Sequence, residues 1–157
     1  MTYQIIREQQ LNCSIDKAWE FFSSANNLSV ITPEDMKFTV LTQLDNDDIF
    51  EGMIIDYSIT PIFNIQMHWQ TEIIHIDYKK SFVDFQVKGP YKLWHHYHEF
   101  IENEKGVLVR DIVDYELPLG FVGKIAHRLF VKKKLEYIFD YRKDVLEVLF
   151  NQKREVS

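Results

Sequence analysis

At 157 residues and a formal charge of −6, the chain is long enough for one full domain and too short for two ordinary ones. A domain of this size buries about 70% of its unfolded surface and needs no disulfides; the single cysteine, Cys13, could form no internal bridge, which agrees with a reducing, cytoplasmic setting. The excess of acidic over basic side chains, 24 against 18, opposes binding to nucleic-acid phosphates or an anionic lipid surface, and the pattern suggests neither a secretory leader nor a transmembrane segment.

Tyr3 to Leu11 reads as a first strand, with its facing ambiguous at Ile5-Ile6. Ser14 is a good N-cap, Asp16 places negative charge in the first turn, and Ala18, Trp19, Phe21 and Phe22 supply an apolar stripe, so a helix is predicted here. The segment SSANNLSVITP ends it, allows a second short helix around Leu28 to Ile31, and stops before Pro33. From Lys37 to Glu116 the hydrophobic period is two, and the turns divide it into strands at Lys37 to Leu44, Met53 to Thr60, Phe63 to Ile76, Ser81 to Val87, Lys92 to Asn103 and Val107 to Glu116. This is an antiparallel meander. After Leu117-Pro118-Leu119-Gly120 the period returns to 3.6, predicting a helix from Val122 to about Phe150, ~30 residues or ~45 Å long. A helix that long with one apolar side needs a curved sheet to lie across. Phe, Trp and Tyr make up 15% of the chain, so the interior beneath that helix is expected to be wide as well as apolar. Residues 1–157 therefore read as a single domain with a frayed tail at 151–157.

The segment from Phe82 to Tyr115 carries the chemistry. A turn at Lys88 to Tyr91 sets Asp84 opposite His96, Gln86 opposite Trp94 and Phe82 opposite His98. A two-residue turn at Glu104-Lys105 sets His98 opposite Asp111, His96 opposite Val113, Trp94 opposite Tyr115 and Phe100 opposite Val109. Both turns place Phe82, Asp84, Gln86, Trp94, His96, His98, Phe100, Val109, Asp111, Val113 and Tyr115 on one face. Large rings mixed with two His/Asp pairs fit neither a plain core nor a solvated surface. Lys92, His95, Tyr97, Glu99, Arg110, Asp114 and Glu116 mark the other face as the outer one.

A His opposite an Asp is commonly a structural cross-strand pair, and it is also an acid/base couple titrating near neutrality. Two histidines two apart on a strand could ligate zinc with a carboxylate, but with each ring engaged by its own Asp no metal is assigned. Cys13 has no paired histidine and reads as a buried apolar side chain; no GxSxG, P-loop or GxGxxG is present. Lys132-Lys133-Lys134 reads as a solvated run on a helix. Phe63, Ile65, Met67, Trp69 and Ile73 form an alternating stripe of core or pocket lining, and His68 and His75 have no legible partner.

The order strand, two short helices, six-strand meander and long final helix resembles the helix-grip fold of the START and birch-pollen-allergen (SRPBCC) superfamily, from Tyr3 to about Phe150. Within it, FVDFQVKGPYKLWHHYHEF, VRDIVDYELPLGFVGKIAH and IFDYRKDVL look like a bacterial branch of SRPBCC proteins, some labelled cell-division inhibitors. The resemblance implies an α+β fold whose sheet wraps the last helix and encloses a pocket for a hydrophobic or amphipathic small molecule, with catalysis in cyclase and aromatase branches. The expected ligand-binding residues are Trp69, Phe82, Asp84, Gln86, Trp94, His96, His98, Phe100, Asp111 and Tyr115. In the alternative, an enzyme, His96 or His98 is the general acid/base and Asp84 or Asp111 orients it. A further alternative is a protein-interaction module linked to division. No cofactor is assigned, and a homo-oligomer is left open.

Overall fold

A computed structural model of the chain describes residues 1–43, 48–61, 64–118, 125 and 127–152. The end of the predicted Lys37 to Leu44 strand, Phe63, the helix start before Ile125 and the tail beyond Gln152 lie outside the described residues.

β1 (Tyr3–Leu11) leads into α1 (Ile15–Phe22), whose N-terminus is capped by the Ser14 hydroxyl accepting from the Lys17 N–H at 3.3 Å. Two 3₁₀ turns follow, Ala25–Ser29 and Glu34–Met36, the second opened by Pro33 instead of a single helix ending before it. The strands are β2 (Thr39–Val40), β3 (Ile54–Ile59), β4 (Met67–Asp77), β5 (Ser81–Lys88), β6 (Leu93–Asn103) and β7 (Gly106–Glu116). They form one antiparallel sheet in the order β1-β7-β6-β5-β4-β3-β2. α2 (Lys132–Leu146) is extended by wider π-type turns at His127–Val131 and Glu147–Asn151. These stretches of 5, 15 and 5 residues make about 37 Å of helix. This is the helix-grip arrangement. No helix among the described residues is long and apolar enough to cross a membrane.

Two strands are shorter than their alternation suggests. Lys37 takes a left-handed φ of 46°, so β2 starts only at Thr39, and beyond Val40 the Thr42 hydroxyl accepts the Asp56 N–H in place of a ladder carbonyl. Asn64 at φ 58° breaks the extended run before β4 in the same way, leaving Ile65 exposed and outside the predicted stripe.

β7 along its whole length, and β6 as far as Ile101, alternate between buried and half-buried residues. On the convex face, Arg110 links Glu8 and Glu99 at 2.6 Å each. Register shifts between β4 and β5 at Gln70/Thr71 and Ile73/His75 add local twist to the concave face. That face is packed in three clusters: Leu11, Trp19, Phe82, Phe100 and Leu146 beside α1; Ile5, Trp94, Val113, Tyr115, Leu135 and Phe139 beneath α2; and Met53, Ile55, Tyr57 and Ile73 on the β3–β4 side. The candidate site lies where they meet.

Gly106 closes the β6–β7 turn at φ 118°, and a β-carbon there would run into the backbone carbonyls of Leu11 and Cys13. We expect Gly106→Ala to cost at least about 1–3 kcal/mol in urea unfolding. A loss within 0.5 kcal/mol, roughly the scatter of neutral surface changes, would show that this corner yields freely.

Candidate functional site

The site is built on rigid elements: Asp84 on β5, His96 and His98 on β6, Asp111 on β7 and Arg142 on α2. The backbone register sets Asp84 against His96, Phe82 against His98, His98 against Asp111 and His96 against Val113. Gln86 does not oppose Trp94: the β5–β6 ladder ends at Phe85–His95.

The side-chain hydrogen bonds run diagonally to that register. His96 Nε2 bonds Asp111 Oδ1 at 3.0 Å, and His98 Nε2 bonds Asp84 Oδ2 at 2.8 Å. Imidazole reaches far enough along a strand to meet the diagonal neighbour. The directly opposed groups are also close: His96 Nδ1 lies 3.4 Å from Asp84 Oδ2, and His98 Nδ1 lies 2.9 Å from Asp111 Oδ1 but off its N–H direction, a charge contact and not a hydrogen bond. The two independent His/Asp pairs expected from the register are therefore one interlocked cluster. The imidazoles lie against each other, centroids 3.8 Å apart and planes tilted by 33°, and His98 stacks on Phe82 at 4.2 Å. Arg142 completes the cluster, its Nη2 donating to Asp111 Oδ1 at 2.9 Å and its guanidinium lying 5.2 Å over the Phe22 ring.

Burial works against every charge here, and the neighbouring charges overturn it at Asp84, Asp111 and His98 but not at His96. Burial would raise the Asp111 carboxyl, but the Arg142 charge and the two imidazoles hold it well below the usual carboxylate range. Asp84 is likewise lowered, against burial, by His96 and His98. Burial would lower His98, yet the carboxylates of Asp111 and Asp84 raise it; His96 is lowered by burial and by the His98 charge, which outweigh its carboxylates. The cluster thus keeps its two carboxylates ionised against burial and pushes the two imidazoles in opposite directions, His98 toward the charged form and His96 toward the neutral one.

A cavity of about 190 Å³ lies between the concave sheet and α2. Asp84, His96, His98 and Arg142 border it on one side; Trp69, Trp94, Phe82, Leu135 and Phe139 are among its apolar walls. Trp94 meets Trp69 edge-on at 5.2 Å and Tyr91 at 4.8 Å. The Tyr57 and Tyr91 phenols also face the cavity and are pushed up by burial, so they stay protonated. Lys134 borders it too, bonded at 2.7 Å to Asp35 of the second 3₁₀ turn, whereas Lys132 and Lys133 are exposed.

Four of the residues expected to bind ligand stand behind the lining. The Gln86 amide ties down the β5–β6 turn, donating to the Tyr91 carbonyl at 2.7 Å and accepting its N–H at 3.3 Å, with Gly89 packed against it. Phe100 is packed among Trp19, Phe22 and Phe82, and Tyr115 lies under Tyr91 and Trp94. Asp111 sits behind the histidines. Arg142 is the functional group missed, although a charged residue among Phe139, Val145 and Leu146 on an apolar stripe was the signal for it. His68 has a partner after all, Asp56 at 2.6 Å, and His75 lies 3.6 Å from Glu51, both away from the cavity. Cys13 is half-buried against the Leu11–Trp19 cluster, and burial pushes its thiol up.

No family model matches the sequence, and no curated protein matches it. Solved structures do. Ginseng major latex-like protein 151 from Panax ginseng is 16% identical with a TM-score of 0.68, covering 97% of this chain and 99% of its own. A norcoclaurine synthase point mutant from Thalictrum flavum, in complex with a transition-state analogue, is 17% identical with a TM-score of 0.64, covering 95% and 96%. Protein Ms6760 from Mycobacterium smegmatis is 16% identical with a TM-score of 0.64, covering 94% and 92%. These are proteins of the SRPBCC, birch-pollen-allergen-like fold, and at such identities the likeness is one of fold.

Proposed function

We propose that this chain binds a small amphipathic molecule, one or two rings with a polar end, between the sheet and α2. The observation that carries the reading is the segregation of the cavity wall: Asp84, His96, His98 and Arg142 gather on one side of an otherwise mostly aromatic and aliphatic enclosure. Its size narrows the ligand. A dry cavity of about 150 Å³ accepts benzene, so about 190 Å³ suits a substituted ring and is too small for a sterol or a long acyl chain without rearrangement. Burying the ring against Trp69, Trp94 and Phe82 supplies affinity at about 25 cal/mol per Å², while His96 and Asp84 orient the polar end.

Native mass spectrometry of the purified chain, with quenching of tryptophan fluorescence by phenols and aromatic acids, tests this. We expect saturable quenching by ring compounds with a hydroxyl or carboxylate, weakened about tenfold or more in His96→Phe, which fills the polar side with an apolar ring. Failure of every such compound to quench, with no co-purifying mass, would overturn the reading.

An acid/base enzyme is the second reading, favoured by His96 reaching the cavity with Asp111 bonded behind it, as a general acid/base and its orienting carboxylate would be. The similarity to a synthase fold is consistent with it. Turnover by the wild type and its loss in His96→Gln at equal ligand occupancy would distinguish catalysis from binding alone. The cell-division role implied by the sequence resemblance rests on no feature of this cavity.

A further inference from the structure

We propose that Asp84, His96 and His98 form a binding site for one divalent transition-metal ion, zinc by its donor type, on the polar side of the cavity. The three residues bring a ligand atom each to within 4.8 Å of one another. His98 Nε2 and His96 Nδ1 lie 2.8 and 3.4 Å from the same oxygen, Asp84 Oδ2. Ligands about 2.0–2.2 Å from a tetrahedral zinc stand about 3.3 Å from each other; the two distances to Asp84 bracket that spacing, and the two ring nitrogens, within 4.8 Å of each other, need close by no more than about 1.5 Å to take up an ion.

The other nitrogen of each ring makes this more than a cluster of donors. His96 Nε2 and His98 Nδ1 both face Asp111 Oδ1, at 3.0 and 2.9 Å, and Arg142 fixes that oxygen from α2. One buried carboxylate thus stands behind both imidazoles and leaves their opposite nitrogens to converge on Asp84. For His96, whose Nε2 hydrogen-bonds Asp111, this is the outer-carboxylate arrangement that orients a histidine toward a metal, while His98 keeps a charge contact to the same oxygen. It removes the objection that each histidine is engaged by an aspartate of its own. Asp84, His96 and His98 all border the cavity, whereas Asp111 does not, so the fourth coordination position opens where an organic molecule would lie. With the ion bound and both imidazoles neutral, the two carboxylates and Arg142 leave the site one positive charge in excess. An anionic oxygen, such as a carboxylate or phenolate, is the donor that fits the open position.

Ion binding is tested without any organic ligand, so its failure leaves the ligand reading standing. The full chain, stripped with chelator, is titrated with Co²⁺ and then Zn²⁺. The expected result is one Co²⁺ per chain with the intense visible bands of a tetrahedral site, displaced by Zn²⁺. Uptake should disappear in His96→Ala and Asp84→Ala, persist in His68→Ala and His75→Ala, and weaken about 10–100-fold in Asp111→Asn. Circular dichroism establishes that each variant tested is folded. Absence of stoichiometric uptake by the folded wild type overturns the proposal whatever the variants do. So does uptake that survives His96→Ala, or that leaves when His68 or His75 is removed. Unchanged affinity in folded Asp111→Asn overturns the role given to the outer carboxylate.

Discussion

Arg142→Met is expected to lower denaturant-unfolding stability by about 3 kcal/mol, the low end of the 3–5 kcal/mol that follows from stripping one partner from a buried ion pair. Arg142 sits on the cavity-facing side of α2 and is 6% exposed, as is Asp111. Methionine keeps most of the aliphatic packing but leaves the Asp111 carboxylate with only His96 and His98 against it. Both imidazoles stay in contact with that carboxylate, His96 by a hydrogen bond and His98 by a close charge contact, which is why the loss stays at the low end. In a double-mutant cycle with Asp111→Asn, the double variant should be more stable than the sum of the single losses by about 1–3 kcal/mol, because removing the carboxylate removes the group that Arg142 neutralises. A single-variant loss under 1 kcal/mol would mean that Asp111 is already solvated in the folded state, and the clamp from α2 to β7 would have to be abandoned.

The contrast between the register and the side-chain contacts shows what could be read before the fold was seen. Gly89-Pro90 and Glu104-Lys105-Gly106 mark two turns whose lengths dictate which residues of β5, β6 and β7 face each other, and Asp84↔His96 and His98↔Asp111 followed from counting. Counting does not say where an imidazole leans. Ring length made the hydrogen bonds diagonal, and only the resulting square reveals that Asp111 stands behind both histidines. Gln86 illustrates the opposite limit: its parity is inward, but a local amide-to-backbone closure of the turn competes for the side chain and takes it away from the cavity. β2 and the start of β4 were overextended because Lys37 and Asn64 adopt left-handed φ values that an alternation pattern does not register. Arg142 fell within the helical stripe by its spacing alone. Its charge asked for a buried partner, and which carboxylate answered depended on the crossing of α2 over β7, a tertiary fact.

Trp94→Ala is expected to cost about 3–5 kcal/mol, the range for deleting a large buried aromatic side chain. Trp94 is 8% exposed, borders the cavity, and supports Trp69 edge-on at 5.2 Å and Tyr91 in a tilted contact at 4.8 Å, so its loss enlarges the cavity and removes both ring contacts together. Because the deleted volume adjoins the existing space, a small aromatic should restore what the mutation removes. Indole at 100 times its dissociation constant would return about 2.7 kcal/mol of stability to the variant by mass action, read as a shift of the urea midpoint with an unchanged slope. The wild type, whose Trp94 already occupies that volume, should shift far less. If the variant loses less than about 1 kcal/mol, the walls have collapsed inward and Trp94 is not what holds the enclosure open. If it loses the full amount but indole shifts both proteins equally, the ring does not enter the space left by Trp94, and the expected rescue of that volume fails.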